Sequence, residues 1–186
     1  GFRAGLANTW HFIDMQRSAL AQTINSDYTA RTFQTFGELG YRFDYRAAWL
    51  EPFANAAYVA HHTGAFTETG GTAALNIRNG DSDTGFTTLG LRGAHRFVWG
   101  STAATARGAL GWRHAFGDIV PVSTNSFVGG AAFTIAGAPI ARDAAVVEAG
   151  FDFRLSEIAI LGLGYAGQFA GPANSQSGRM KLSVNF

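Results

Sequence analysis

The residues of this chain best suited to chemistry are its histidines, serines and carboxylates, yet their spacing gives catalysis little support. His61 and His62 are adjacent, and adjacent residues of an extended strand point to opposite faces. A shared metal is therefore not expected, and the pair is placed at a rim near an outer interface. Ser123, Ser126, His114 and Asp118 supply the residue types of a hydrolase triad. No strained, glycine-flanked Ser elbow accompanies them, so a barrel-embedded hydrolase stands only as a minor alternative. The stretch from Thr69 through Gly70 and Gly71 to Thr72 lacks the Lys and Ser/Thr of a phosphate loop and reads as a turn in a surface loop. No catalytic residue, metal or cofactor is expected.

The charged side chains are more informative by where they stand. Glu38, Arg42, Arg92, Arg107, Arg113, Glu148, Asp152, Arg154 and Arg179, with Arg3, Arg96 and Lys181, occur in stretches where apolar and polar residues alternate. Every one of them falls opposite the aromatic and aliphatic positions. In 142–155, Ala145, Val147, Ala149, Phe151, Phe153 and Leu155 face away from Glu148, Asp152 and Arg154. In 102–116, Ala104, Ala106, Leu110 and Trp112 face away from Thr105, Arg107 and Arg113.

This period-2 pattern is the signature of half-buried strands. It recurs about eight times, over 1–13, 30–43, 49–62, 84–97, 102–116, 142–155, 158–169 and 178–186, in runs of about 9 to 14 residues. The connections between runs alternate long and short: 14–29, 44–48, 63–83, 98–101, 117–141, 156–157 and 170–177. A soluble sandwich has no reason to gather its long loops at one end. An outer-membrane barrel does, with short periplasmic turns and longer outer loops, and the run lengths suit tilted strands crossing a hydrocarbon layer of about 30 Å. Apolar residues then meet lipid and charged ones a wet lumen, since an Arg facing lipid at the midplane costs about 2–4 kcal/mol. Trp10, Phe12, Tyr41, Phe43, Trp99, Trp112 and Phe116 lie near run ends, where interfacial aromatic girdles belong.

Composition fits this reading. The 186 residues suffice for one domain, 1–186, and carry 24 glycines, 16 phenylalanines and 15% charged residues, against about 25% in soluble domains. The net charge of +1, with Lys181 the sole lysine, removes nucleic acid as a partner. The absence of cysteine removes disulfide scaffolds and thiol chemistry. Stretches 119–141 and 158–178 lack charge over about the length of a transmembrane helix, but their prolines and glycines argue against one. The first residues have no basic leader running into an apolar stretch, so the chain is expected to be a mature product or an excised piece.

FGELGYRF (36–43), LEPFANAAYVAHHTGAFTETGGTAAL (50–75), TTLGLR (87–92), WRHAFGD (112–118), FTIAGAPIARDAAVVEAGFDF (133–153) and the terminal LSVNF resemble the C-terminal translocator barrel of bacterial autotransporters, the monomeric type of type V secretion. The resemblance implies a twelve-stranded antiparallel barrel in the bacterial outer membrane, crossed by a lumenal helix that links it to a passenger carried to the cell surface. The chain resembles the last two thirds of that barrel, with the alternatives of an eight-stranded barrel closing alone or a fragment needing partners at its edges. A stand-alone adhesin or structural barrel is the second reading.

The closing alternation Met180, Leu182, Val184, Phe186 resembles the family's assembly signal, with Gly178 where another aromatic is frequent. Its expected partner is the barrel-assembly machinery, reached by β-augmentation. The other expected partners are outer-membrane lipid and, through Arg92, Arg107, Arg113 and Arg154, the chain's own passenger and lumenal helix. Some members cut the passenger free within the lumen; Glu38, Glu51, Glu148 and Asp152 carry no such assignment here.

Overall fold

The computed structural model describes residues 1–171 and 173–184. Thirteen strands follow in chain order: β1 (Phe2–Ala19), β2 (Gln22–Gly40), β3 (Phe43–Tyr45), β4 (Ala48–Thr63), β5 (Phe66–Thr67), β6 (Leu75–Ile77), β7 (Gly80–Trp99), β8 (Thr102–Gly117), β9 (Val122–Phe127), β10 (Ala132–Ala136), β11 (Asp143–Arg154), β12 (Ala159–Ala170) and β13 (Ala173–Val184). Among the described residues there is no helix.

The main sheet runs β1-β2-β4-β7-β8-β11-β12-β13, with β3 pairing β4 off this path. Each long strand is antiparallel to its chain neighbour. The sheet does not close: among the described residues β1 pairs only with β2, and β13 only with β12. The backbone groups along both outer edges are unpaired, and such edges cannot stand in lipid without a further strand.

Two of the expected long loops are not loops. Residues 14–29 continue the β1–β2 ribbon, from Ile13↔Tyr28 to Ala19↔Gln22. The ribbon reverses at Leu20 and Ala21, both with positive φ, 51° and 58°, the sign a two-residue hairpin needs to match strand twist. Likewise β12 and β13 stay paired up to Ala170↔Ala173. The ladder continues through these extensions although their side chains lose the apolar alternation.

The other two long connections pair with each other. Segments 64–79 and 118–142 contribute a four-stranded sheet, β10-β9-β6-β5, joined to the ribbon by Asn25↔Thr69. The largest fully buried side chain among the described residues is here: Ile24 is 1% exposed, with Ala30, Ala73 and Ala74 also buried. Tyr28 stacks on Phe66 at 4.2 Å. The short turns, including Gly100 with φ 62°, are all at the opposite end.

Across the main sheet, register assigns each side chain to a face. Phe2, Leu39, Ala54, Leu89, Trp112, Ala145 and Phe169 form one continuous row. Leu6 is 77% and Met180 74% exposed on this face, and Leu39, Leu89, Leu110 and Leu182 are exposed with them. An apolar surface of this extent needs a cover, and a hydrocarbon layer is the one that asks for no hydrogen bonds. Alternate positions carry Arg3, Glu38, Arg92, Arg107, Asp152 and Arg179 among many small residues.

Candidate functional site

The polar face is concave. One hollow of about 670 Å³ is lined by Trp49 on β4, Arg92 on β7, Arg107 on β8, Glu148 and Asp152 on β11, and Arg179 on β13. A flat sheet could not bring β4 and β13 to the same hollow.

Its densest ionic feature crosses four strands. Arg92 Nη2 lies 2.8 Å from Glu38 Oε1 and 2.8 Å from Glu51 Oε1, and Arg3 approaches Glu38 at 3.7 Å. The register dictates the meeting, because Arg3 stands opposite Glu38 and Glu51 opposite Arg92. The Arg92 guanidinium also covers the Phe53 ring at 4.9 Å. That ring lies over Gly90, where an added Cβ would come within 2.7 Å of it. Glycine at position 90 is what lets an aromatic ring lie flat on the wall and support the arginine.

Further round, Arg107 pairs with Asp152 at 2.8 Å, and Arg113 donates to Gln168 Oε1 at 2.9 Å while lying 5.9 Å from the Phe86 ring. Glu148, Arg154 and Arg179 share the concave face by register. Among the described residues these three, with Lys181, have no ion-pair partner. β2 ends at Gly40, and Arg42 stands in the two-residue break before β3, which goes on pairing with β4. There Arg42 pairs with Asp44 at 2.7 Å and covers Trp49 at 4.5 Å. Met180, Leu182 and Val184 lie on the apolar face of β13, opposite Leu163, Leu161 and Ala159. Phe186 lies outside the described residues.

The histidines take separate roles. His61 bonds Thr32 Oγ1 at 3.0 Å and Thr63 Oγ1 at 3.1 Å on the concave face, while His62 pairs with Asp81 at 2.5 Å on the other. His114 pairs with Asp143 at 2.8 Å. Asp118 instead accepts from the Asp83 amide at 3.0 Å, and Ser123 donates to Asn125. Trp112 donates its indole N–H to Asp143 at 3.1 Å, the arrangement of an interfacial tryptophan with one wet end.

Above the hollow, the outer-loop sheet is held to the β1–β2 ribbon by a half-buried ion pair. Arg17 grips Glu68 through both Nε and Nη2 and donates to Ala73 O at 3.0 Å; the Glu68 carboxylate also accepts from the Leu75 amide at 2.9 Å. The side chain of Glu68 is 4% exposed. The Arg17 hydrogen bond holds its carboxyl below the usual carboxylate range. A lowered folded-state pKa contributes stability that is fully present above the ordinary carboxyl value of about 4.3 and lost as pH falls through the lowered one. Glu68→Gln should therefore expose 64–79 to protease at pH 7, while the unsubstituted protein becomes comparably sensitive only in strong acid; limited proteolysis of the membrane-embedded protein reads both.

Sequence reasoning missed three features. Phe36, Phe53 and Phe86 stand on the concave face, against the rule that aromatics face lipid, each opposite a small residue in register. Arg17 and Glu68 are 51 residues apart, and no periodicity links them. Arg31 stands on the apolar face, opposite Trp10. Its parity with Phe33 and Leu39 in one run was the available signal.

Comparison with known proteins places these features. A family model described as Autotransporter beta-domain matches residues 1–166. A protein named "Extracellular serine protease" from Serratia marcescens is 37% identical over 189 residues, covering 99% of this chain. A second of that name and organism is 35% identical over 188 residues, covering 98%. The chain spans 18% of the length of each of these relatives.

Proposed function

The chain belongs to the autotransporter β-domain family, whose role is to translocate a passenger across the outer membrane, and from that premise we propose that its concave face is the wall along which the passenger and a lumenal helix travel. The observation that carries this is the uneven pairing of charge. Arg3, Glu38, Glu51 and Arg92 are committed to one another, whereas Glu148, Arg154 and Arg179 stand on the wall with their hydrogen-bonding groups available to a transiting chain. Exposed single ion pairs such as Arg107–Asp152 are weak enough to exchange partners.

Arg92 belongs to the committed set, so the export test uses Arg107, Arg113 and Arg154. Replacing all three with Gln should slow the appearance of passenger at the surface about tenfold while the amount of heat-modifiable barrel is unchanged. Pulse-chase with surface protease reads the rate, and unchanged export would remove the wall contact from the account.

The two open sheet edges support further partners: more strands of the same barrel to close it, lipid around it, and the barrel-assembly machinery at β13. Deleting Phe186 should cut insertion far more than Leu89→Ala at a mid-strand lipid site, read as the heat-modifiable fraction; equal losses would mean that position 186 is only one more lipid contact. The activity in the relatives' name belongs to whole proteins of which this chain matches 18%. We assign this domain transport and anchoring and no catalytic step.

A further inference from the structure

Among the described strand residues Arg31 is the one arginine or lysine on the apolar face, where the other formal charges, Asp14, Asp27, Asp81, Asp83 and Asp143, are acids gathered toward the same end. It lies in one cross-strand row, Trp10↔Arg31↔His62↔Asp81, on the face that carries Leu6, Phe12 and Leu39. Two contacts hold it: Nε donates to Asn8 Oδ1 at 2.9 Å, and the guanidinium lies 5.6 Å from the Trp10 ring centroid. Among the described residues it has no carboxylate partner. Asp81, the acid in its row, is taken by His62 at 2.5 Å. A guanidinium carries five donors, and Asn8 satisfies one. Hydrocarbon satisfies none, and the remaining four form a planar fork that matches phosphate oxygens.

Its height along the strand completes the argument. Arg31 is level with the Trp10 ring, toward the end of the sheet that bears the loop sheet and away from the short turns. That level is the outer lipid–water interface, where an amphipathic indole and a long cationic side chain both settle. From this geometry we infer that Arg31, positioned by Asn8 and Trp10, binds the phosphate of an outer-leaflet glycolipid and docks the barrel to that leaflet. The inference concerns the lipid-facing surface and is independent of the wall contact proposed for export.

The test uses the full-length protein in phosphatidylcholine nanodiscs doped with bis-phosphorylated lipid A, with retained lipid counted by native mass spectrometry. Arg31→Gln should retain about tenfold less lipid A, and Arg31→Lys an intermediate amount, because lysine keeps the charge without the fork. Arg96→Gln, on the opposite face, should retain as much as the unsubstituted protein. The unsubstituted protein should hold dephosphorylated lipid A no better than Arg31→Gln holds the phosphorylated form, an arm that does not depend on any variant folding. Passenger export by Arg31→Gln should be unchanged. Equal retention with and without the lipid phosphates, or with and without the guanidinium, would overturn the inference. So would displacement of the lipid by millimolar inorganic phosphate, which would make the position a site for the free anion.

Discussion

Arg92→Gln should lower the stability of the folded barrel by about 3 kcal/mol, at the lower end of the about 3–5 kcal/mol found when one partner of a buried pair is removed. The reasoning rests on what is left behind. Arg92 is the common partner of Glu38 and Glu51, whose side chains are 15% and 12% exposed, and without it the two carboxylates are left with only Arg3, 3.7 Å from Glu38, to offset them. The residual hydration of the concave face keeps the loss from the upper end of the range. Urea unfolding in lipid vesicles, followed by tryptophan fluorescence, measures it. Adding Glu38→Gln and Glu51→Gln to Arg92→Gln should recover most of the loss, because the cost lies in uncompensated charge rather than in a missing contact. A triple variant as unstable as Arg92→Gln would show that the hub matters for packing against Phe53 instead.

The second large effect comes from the other face. Leu163 stands near the middle of β12, between Phe151 and Met180 in register. Leu163→Arg places a charge against hydrocarbon near the midplane and should cost about 2–4 kcal/mol, a large share of a marginal net stability of about 5–15 kcal/mol. Ala166→Arg, three residues along the same strand, turns to the concave face opposite Glu148 and should be tolerated or slightly stabilising. The pair differs in which way the residue points and hardly at all in chemistry, so folded yields in vesicles isolate the effect of orientation.

Much of this was legible in the sequence for one physical reason: where a sheet has lipid on one side and water on the other, side-chain polarity must alternate at the period of the strand. All eight long strands of the main sheet coincide with alternating runs, and β8 and β11 match theirs to within a residue or two at each end. The pattern fails where that constraint ends. Beyond the bilayer, β1 and β2 continue as a ribbon through Met15, Gln16 and Arg17 with no alternation to mark it, so those residues read as a loop. The outer-loop sheet joins 75–77 to 125–127, a long-range pairing with too few residues per strand to show a period. At the concave face the residue types were readable and the partners were not. Glu38, Glu51 and Arg92 come from three different strands, and only the register states which of them meet.

The claim beneath all of this is that the apolar face meets lipid and the charged face meets water. Spin labels placed singly at Leu6, Leu89, Leu163 and Leu182, and at Ala7, Thr88, Gly164 and Ser183, test it in the membrane-embedded full-length protein through collisions with oxygen and with a water-soluble nickel chelate. The first four labels should collide with oxygen and hardly with nickel, and the second four should do the reverse. If the first four were shielded from both relaxants, as in a packed protein interior, with the second four open to bulk water, the account would be contradicted.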